Sequence, residues 1–380
     1  MRVWFLARRH EPFSPASFAQ RKLGGSESGL YYVAKGLAAL GHEVVVINRC
    51  GPEAGFYDGV RYIDVAGVSQ WRGAARATPP DVLVICRAME AVRTSIPARA
   101  KIFWAHDYQG VSVAPLQPGL GRQLGIAWRR ATGPLFNQRV DRIVVISAFL
   151  GDVFRWLFRS PADKLVIVPQ GIDADLFAGP PLPRAPVRFI HTSVPDRGLA
   201  PLLQEVFPVL RARFADAELH VYSYQNLDAY RRLATAGVTL HGWAPKPDLV
   251  RSLRQSTLML YPATVEEMGC IAALESMAAG TPAVTSSLGV LPELATGGRC
   301  GIAVEGWPGT GDFSPRFVDA TVRLLSDPER LAQMRIAAHD YAITHHAWNA
   351  ITLRWQQVLQ ASLDGASSRR PTEIDRDVCS

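Results

Sequence analysis

Residues 258–287, "LMLYPATVEEMGCIAALESMAAGTPAVTSS", decide the fold. Leu258 to Tyr261 form an unbroken apolar run ending at Pro262, as in a buried strand. The spacing then predicts a helix from Gly269 to Ala279, stopped by Gly280. Thr281-Pro282 opens a second buried strand. Strand, helix and strand in this order make a βαβ unit, which requires parallel strands covered on both faces. Glu275 is out of place in that helix. At ~100° per residue it lies about 40° from Ile271, at the border of the stripe made by Ile271, Leu274 and Ala278. A carboxylate buried there without donors costs several kcal/mol, and ligand hydroxyls are good donors.

The same alternation runs along the chain. Apolar strands are expected at 2–7, 43–47, 82–86, 101–105, 142–147 and 164–169, with a helix around Ser26–Leu40. "AGPPLPRAPVR" (178–188) carries four prolines and reads as a linker. A second set follows at 188–193, 218–223, 238–243, 258–262 and 282–287, then an amphipathic helix at 348–363. The polar end, 364–380, is expected to be disordered. The chain therefore reads as α/β, with two Rossmann-like, doubly wound domains at 1–178 and 188–347 joined by a 179–187 linker. Ligands bind such sheets beyond the carboxyl ends of the strands, and two facing domains would form one cleft.

Composition sets bounds. Nearly half of the 380 residues are hydrophobic and a fifth are charged, as in soluble globular proteins. No apolar run reaches the ~18–20 residues needed to span a bilayer. "MRVWFLARRH" is too short in apolar residues for a signal peptide and reads as a first strand. Cys50, Cys86, Cys270, Cys300 and Cys379 lack paired or metal-type spacing, which suits reduced thiols and a cytoplasmic location. No metal and no nucleic-acid partner is expected. The net charge of +7 is concentrated: 121–159 holds seven arginines against two aspartates, interleaved with apolar residues. Such helices suit an anionic membrane surface; the commoner reading is core-packed helices with solvated arginines.

Four stretches carry candidate chemistry. In "LGGSESGLYYVAKGLAALGHEVVV" (23–46), Gly24 and Gly25 precede a helix with Ser26 as a candidate N-cap. Paired glycines there admit an anion or sugar, or make an ordinary turn. Leu30, Val33, Leu37 and Leu40 form the buried face of that helix. The preceding loop, from Arg8 to Lys22, is long for its place and is a candidate acceptor segment. His106 and Asp107 follow a strand end, where a histidine can bond a hydroxyl or move a proton, or Asp107 can cap a turn. Arg197-Gly198 follows another strand, where an arginine fork suits phosphate, or is a surface residue. In the opening stretch, a helix rising ~1.5 Å per residue puts Glu275 about 9 Å beyond Gly269. One ligand could then place a sugar at Glu267, a diphosphate at the Gly269–Ile271 amides and a ribose at Glu275.

Glu267 and Glu275 form an E-x7-E spacing, and "EEMGCIAALESMAAGTPAVTSSLGVLPEL" resembles the donor-site signature of retaining nucleotide-sugar glycosyltransferases with the GT-B fold, the large family 4 (group 1). "LGGSE", "WAHD", "VDRIVVISAFL…KLVIVPQGIDADLF" and "LHGWAPKPDLVRSLRQSTLMLYP" resemble further blocks of that family, in order. The resemblance implies that Glu267 binds donor-sugar hydroxyls. It implies that the amides of Met268, Gly269, Cys270 and Ile271 hold sugar and diphosphate, and that Glu275 binds the ribose. Gly24 and Gly25 would lie against the diphosphate, His106 against the sugar, and Arg197 would neutralise phosphate. Tyr222 and Trp243 would line the base pocket, and the 348–363 helix would complete the N-terminal domain. The family's "GR…KG" pair is reduced here to Arg197, with Ser193 at the first place, so Lys246 is a candidate second cation. Gln170-Gly171 replaces the usual "NG".

These expectations describe a hexosyltransferase using a UDP- or GDP-linked sugar, without a metal or other cofactor, and with retention of anomeric configuration. The acceptor would be a glycan, a lipid-linked group or a small molecule, with 121–159 as a candidate peripheral anchor at the cytoplasmic face. An epimerase or phosphorylase on the same fold, or a non-catalytic sugar-nucleotide-binding protein, are the rivals.

Overall fold

The structure is a computed structural model and describes residues 1–18, 24–108, 120–180, 182–183 and 187–364. The chain divides into two compact units, Met1–Gln170 with the C-terminal segment from Trp348, and Gly171–Ala347. The sequence places the boundary eight residues later, at 178. The difference has a cause: the Ile172 amide donates to His346 O at 2.7 Å, and Ile172 and Phe177 are buried in the core of unit 2. The expected linker therefore starts within unit 2, and the expected disordered tail lies outside the described residues, apart from Asp364.

Unit 1 is built on eight strands: β1 (Arg2–Leu6), β2 (Glu43–Asn48), β3 (Gly55–Tyr57), β4 (Val60–Asp64), β5 (Val82–Cys86), β6 (Ala100–Ala105), β7 (Arg142–Val145) and β8 (Leu165–Ile167). Their order is β3-β4-β2-β1-β5-β6-β7-β8, and each pairing is parallel except β3 with β4. Strands such as "VLVIC" are buried at every position, as a sheet covered on both faces requires. The sequence missed β3 and β4.

The Gly25–Ala39 helix buries Leu30, Val33 and Leu37, but Leu40 is its exposed C-cap rather than part of the apolar face. Gly24, not Ser26, is the N-cap. The Trp348–Leu363 helix packs on this helix because Gly36 lets it come close: a Cβ there would stand 2.3 Å from Thr352 Oγ1. Trp355 is fully buried, with its ring 4.6 Å from that of Trp104. An aromatic pair of this size accounts for the docking of a late helix on the first domain's core.

The arginine-rich segment forms the Leu120–Asn137 and Ala148–Phe158 helices. They pack on each other, yet Leu124, Trp128, Leu135 and Trp156 remain 49–64% exposed. The Arg129 and Arg130 guanidinium groups lie over the rings of Trp128 and Trp156, at 5.8 and 5.5 Å.

Unit 2 holds β9 (Arg188–Thr192), β10 (Glu218–Tyr222), β11 (Val238–Gly242), β12 (Leu258–Tyr261), β13 (Ala283–Ser286) and β14 (Gly301–Val304), the last unforeseen. The order β11-β10-β9-β12-β13-β14 is parallel throughout. In each sheet the strand order reverses at the first strand, β1 or β9. A crevice opens at such a point beyond the carboxyl ends of the strands.

Candidate functional site

In unit 2 the loops after β9 and β12 meet. The Thr264 amide donates to Arg197 O at 3.4 Å, and Thr264 Oγ1 donates to Asp196 O at 3.1 Å. Arg197 Nη1 then reaches Glu267 Oε1 at 3.0 Å. The Tyr261 hydroxyl donates to the same carboxylate oxygen, and Ser193 Oγ donates to the Tyr261 oxygen at 3.2 Å. Glu267 is only 6% exposed, so these donors supply what a buried carboxylate needs. Burial works against the Arg197 charge, but Glu267 beside it holds the guanidinium pKa above its ordinary value. Burial, then the Glu267 charge, push Tyr261 and Cys270 up, so both stay protonated.

The Glu267 backbone is fixed as well. It forms a parallel bridge with Gly289, and the Val290 amide donates to Glu267 O at 2.8 Å. Gly289 has φ of 65°, and a Cβ there would fall 2.1 Å from Glu267 O. Only glycine meets both conditions. Sequence reasoning passed over Gly289 and Tyr261. Their only signals are a glycine in a strand-to-helix loop and a polar aromatic closing a buried strand.

The helix after Glu267 spans Ile271–Ala278, two residues shorter at its start than expected. Cys270 holds φ 29° and ψ 67°, which breaks the helix there, and the Ala273 and Leu274 amides both donate to its carbonyl. The amides ahead of Ala273, among them Ile271, thus precede the first helical bonds, as at any helix start. Met268 and Gly269 lie in the bend before it. A non-glycine residue at positive φ is strained, and such strain gathers at functional sites.

Glu275 is 8% exposed, as its border position predicts. Its carboxylate is already bonded to the ammonium of Lys246, the first residue of the Lys246–Gln255 helix. Lys246, expected beside a phosphate, is therefore occupied by the other acid. Tyr222, at the end of β10, stacks on His241 with ring centroids 4.4 Å apart and planes 4° from parallel. Trp243, just past β11, is half exposed.

Unit 1 gathers a second polar cluster beyond β1, β5 and β6. Gly24 and Gly25 open the helix as expected, and a Cβ on Gly24 would meet Glu27 Oε2 at 2.9 Å. Glu27 is buried and accepts from the Glu11 amide at 3.2 Å. Arg87, directly after β5 and held at φ 59°, bonds Asp107 at 3.0 Å and Ser26 Oγ at 3.1 Å, and lies 3.9 Å from Glu27. His106 is buried against Trp104, ring centroids 4.5 Å apart. Burial first, then the nearby His10 and Arg87, lower its pKa well below that of a free imidazole. Glu27, Arg87 and His10 were not foreseen. The strand-end rule that singled out His106 applies equally to Arg87.

The family described as "Glycosyl transferases group 1" matches residues 188–327, and "Glycosyltransferase Family 4" matches residues 23–176. Alpha-maltose-1-phosphate synthase of Mycolicibacterium smegmatis is 25% identical over 64% of this chain and 69% of its own length. D-inositol 3-phosphate glycosyltransferase of Thermobispora bispora is 28% identical over 59% of this chain and 56% of its own. The chain thus spans 69% and 56% of the length of these two relatives. The structure of Anabaena HepE in complex with UDP superimposes with a TM-score of 0.69 at 17% identity, covering 95% of this chain and all of that one. That likeness concerns the fold: two Rossmann-like domains of the GT-B type. The chain belongs to the family 4, group 1 glycosyltransferases.

Proposed function

We propose that the protein transfers a hexose-type sugar from a nucleoside diphosphate donor, UDP- or GDP-linked, with retained anomeric configuration. The observation that carries this reading is the pair of buried carboxylates, Glu267 and Glu275, on either side of one helix start, each matched by a cation. Glu275 lies about 6 Å along the axis from Ile271, a spacing that suits a diphosphate on the leading amides and a ribose at Glu275. Glu267 takes the sugar hydroxyls. Arg197 and the helix amides bear the charge that develops on the departing diphosphate, which is where electrostatic catalysis acts. They fill the role a divalent ion would otherwise have. Tyr222 and Trp243 serve the base.

On this reading unit 1 supplies the acceptor side, with Gly24, Gly25 and His106 near the transferred sugar. The acceptor is a glycan, a small molecule or a lipid-linked group. The exposed tryptophans and arginines of the Leu120–Asn137 and Ala148–Phe158 helices favour the lipid-linked case, at the cytoplasmic face of a membrane. The test is a thermal shift against UDP, GDP, ADP and TDP, followed by hydrolysis of sugar donors carrying the nucleotide that binds. One nucleoside diphosphate should stabilise the protein clearly above the others. Absence of any shift, together with no donor turnover, would refute the reading.

A further inference from the structure

Tyr261 closes β12, a strand buried at every position, and its own ring is fully buried. A phenylalanine would pack there without cost, whereas a phenolic hydroxyl taken out of water must find partners. It has two: Ser193 Oγ lies 3.2 Å away on one side, and Glu267 Oε1 is bonded on the other. A carboxylate only accepts, so Tyr261 donates to Glu267 and accepts from Ser193. Burial, and then the Glu267 charge, keep the phenol protonated, so the donor persists. The ring is also fixed. His191, fully buried, meets it edge-on at 5.5 Å and is itself held to Leu260 O at 3.0 Å.

Glu267 thus has two donors of different kinds. Both Arg197 Nη1 and the Tyr261 hydroxyl reach Oε1, and among the described residues no donor reaches Oε2. The Arg197 side chain is 45% exposed, against 8% for Glu267. A half-exposed guanidinium on a flexible stem can turn toward an anion. A hydroxyl on a packed ring cannot follow. Once Arg197 turns away, a phenylalanine at 261 would leave a buried carboxylate without any protein donor, which is costly.

We infer that Tyr261 is a positioning residue for the transfer: its hydroxyl anchors Oε1 of Glu267, leaving Oε2 to a hydroxyl of the donor sugar while Arg197 is drawn to the diphosphate. The inference rests on the reading of Glu267 as the sugar acid and of Arg197 as the phosphate cation. Tyr261 then acts on the sugar half of the donor alone, and only through Glu267.

The full chain, as wild type and as Tyr261→Phe, is titrated calorimetrically with UDP, GDP, UDP-glucose and GDP-mannose, and hydrolysis of the sugar nucleotide that binds is followed. Tyr261→Phe keeps the ring and removes one oxygen. Its affinity for the bare nucleotide should be unchanged. Its affinity for the sugar nucleotide, taken relative to the bare one, should fall about tenfold or more, the worth of one bond to a charged group, and kcat for hydrolysis should fall with it. In a Glu267→Ala background the same substitution should leave the affinity ratio as it is, because the coupling runs through that carboxylate. Three results would each overturn the inference: an unchanged ratio in Tyr261→Phe, an equal loss for bare and sugar nucleotide, as a merely structural residue gives, or a full loss repeated in the Glu267→Ala background. A wild type that neither binds nor hydrolyses a sugar nucleotide overturns the underlying reading, and the inference with it.

Discussion

Arg197 and Glu267, 70 residues apart in sequence, meet at 3.0 Å where the loops after β9 and β12 converge. The pair ties the arginine proposed for the phosphate to the acid proposed for the sugar, so neither acts alone. Glu267→Gln keeps the shape and the Tyr261 contact but removes the charge that holds the arginine. Donor turnover should fall roughly 100-fold, as when one preorganised electrostatic contact is lost from an active site. Steady-state donor hydrolysis checks it; a change under twofold would leave Glu267 a structural residue only.

The second acid behaves differently because its cation is half exposed while it is not. Lys246→Met leaves a buried carboxylate without its partner, at a cost of about 1–3 kcal/mol. The unliganded protein should melt earlier, and nucleoside diphosphate should restore more stability than in the wild type, since ribose hydroxyls replace the lost donor. Glu275→Ala should weaken nucleotide binding about tenfold or more with little change in unliganded stability, because the freed Lys246 returns to water. Differential scanning fluorimetry with and without nucleotide measures both. If Glu275→Ala binds nucleotide as the wild type does, the ribose assignment is wrong.

Most of the fold is legible in the sequence, for a physical reason. Strands such as Val82–Cys86 are buried on both faces, so they are unbroken apolar runs, and the bounds expected for that strand are the observed ones. Gly55–Tyr57 and Gly301–Val304 were missed because they are short and lie in partly exposed, glycine-flanked sequence. Sequence also placed Arg197, Glu267 and His106 at strand ends, because ligand edges follow from strand direction. It could not pair Arg197 with Glu267 or Lys246 with Glu275, since those partners depend on which loops the sheet order brings together. His10 was hidden differently, since nothing in "RRHEPF" says that its imidazole is buried.

Gly289 offers a test of backbone rather than side-chain design. Gly289→Ala puts a methyl group against Glu267 O and strains a left-handed φ. Destabilisation of roughly 2 kcal/mol or more is expected, the range for a lost glycine conformation plus a clash. Urea unfolding should show a lower midpoint with unchanged slope, and donor affinity should drop with it, because Glu267 moves. A midpoint within error of the wild type would mean that the loop relaxes freely.

Acid should destabilise unit 1 in a defined window. The His10 pKa is lowered to about 3 from an ordinary 6.5, so between those values the unfolded chain binds a proton that the folded one does not. Stability therefore falls as pH drops from about 6.5 toward 3, by up to ~5 kcal/mol for this group. His191, in unit 2, is lowered to about 4 by burial and acts in the same direction. His10→Phe should reduce the pH dependence of the unfolding free energy between neutral pH and about 4.5, leaving the shares of His106 and His191, which burial lowers as well. Equal slopes in variant and wild type would show that His10 is solvated or paired.

If the acceptor is lipid-linked, as proposed, the exposed face of the Leu120–Asn137 helix is the surface that would meet an anionic membrane. Trp128 carries Arg129 over its ring and is largely exposed, so Trp128→Ser removes membrane-facing apolar area without disturbing a core. Each arginine near an anionic surface contributes ~1 kcal/mol, and salt screens that term within a Debye length. The wild type should co-sediment at low salt with vesicles containing phosphatidylglycerol, be released by high salt, and ignore pure phosphatidylcholine. Trp128→Ser should weaken the low-salt binding several-fold while leaving the melting temperature unchanged. Retention equal to the wild type would remove the tryptophan from the contact. Failure of the wild type to bind anionic vesicles would leave a soluble acceptor and return the basic helices to the role of a solvated, core-packed pair.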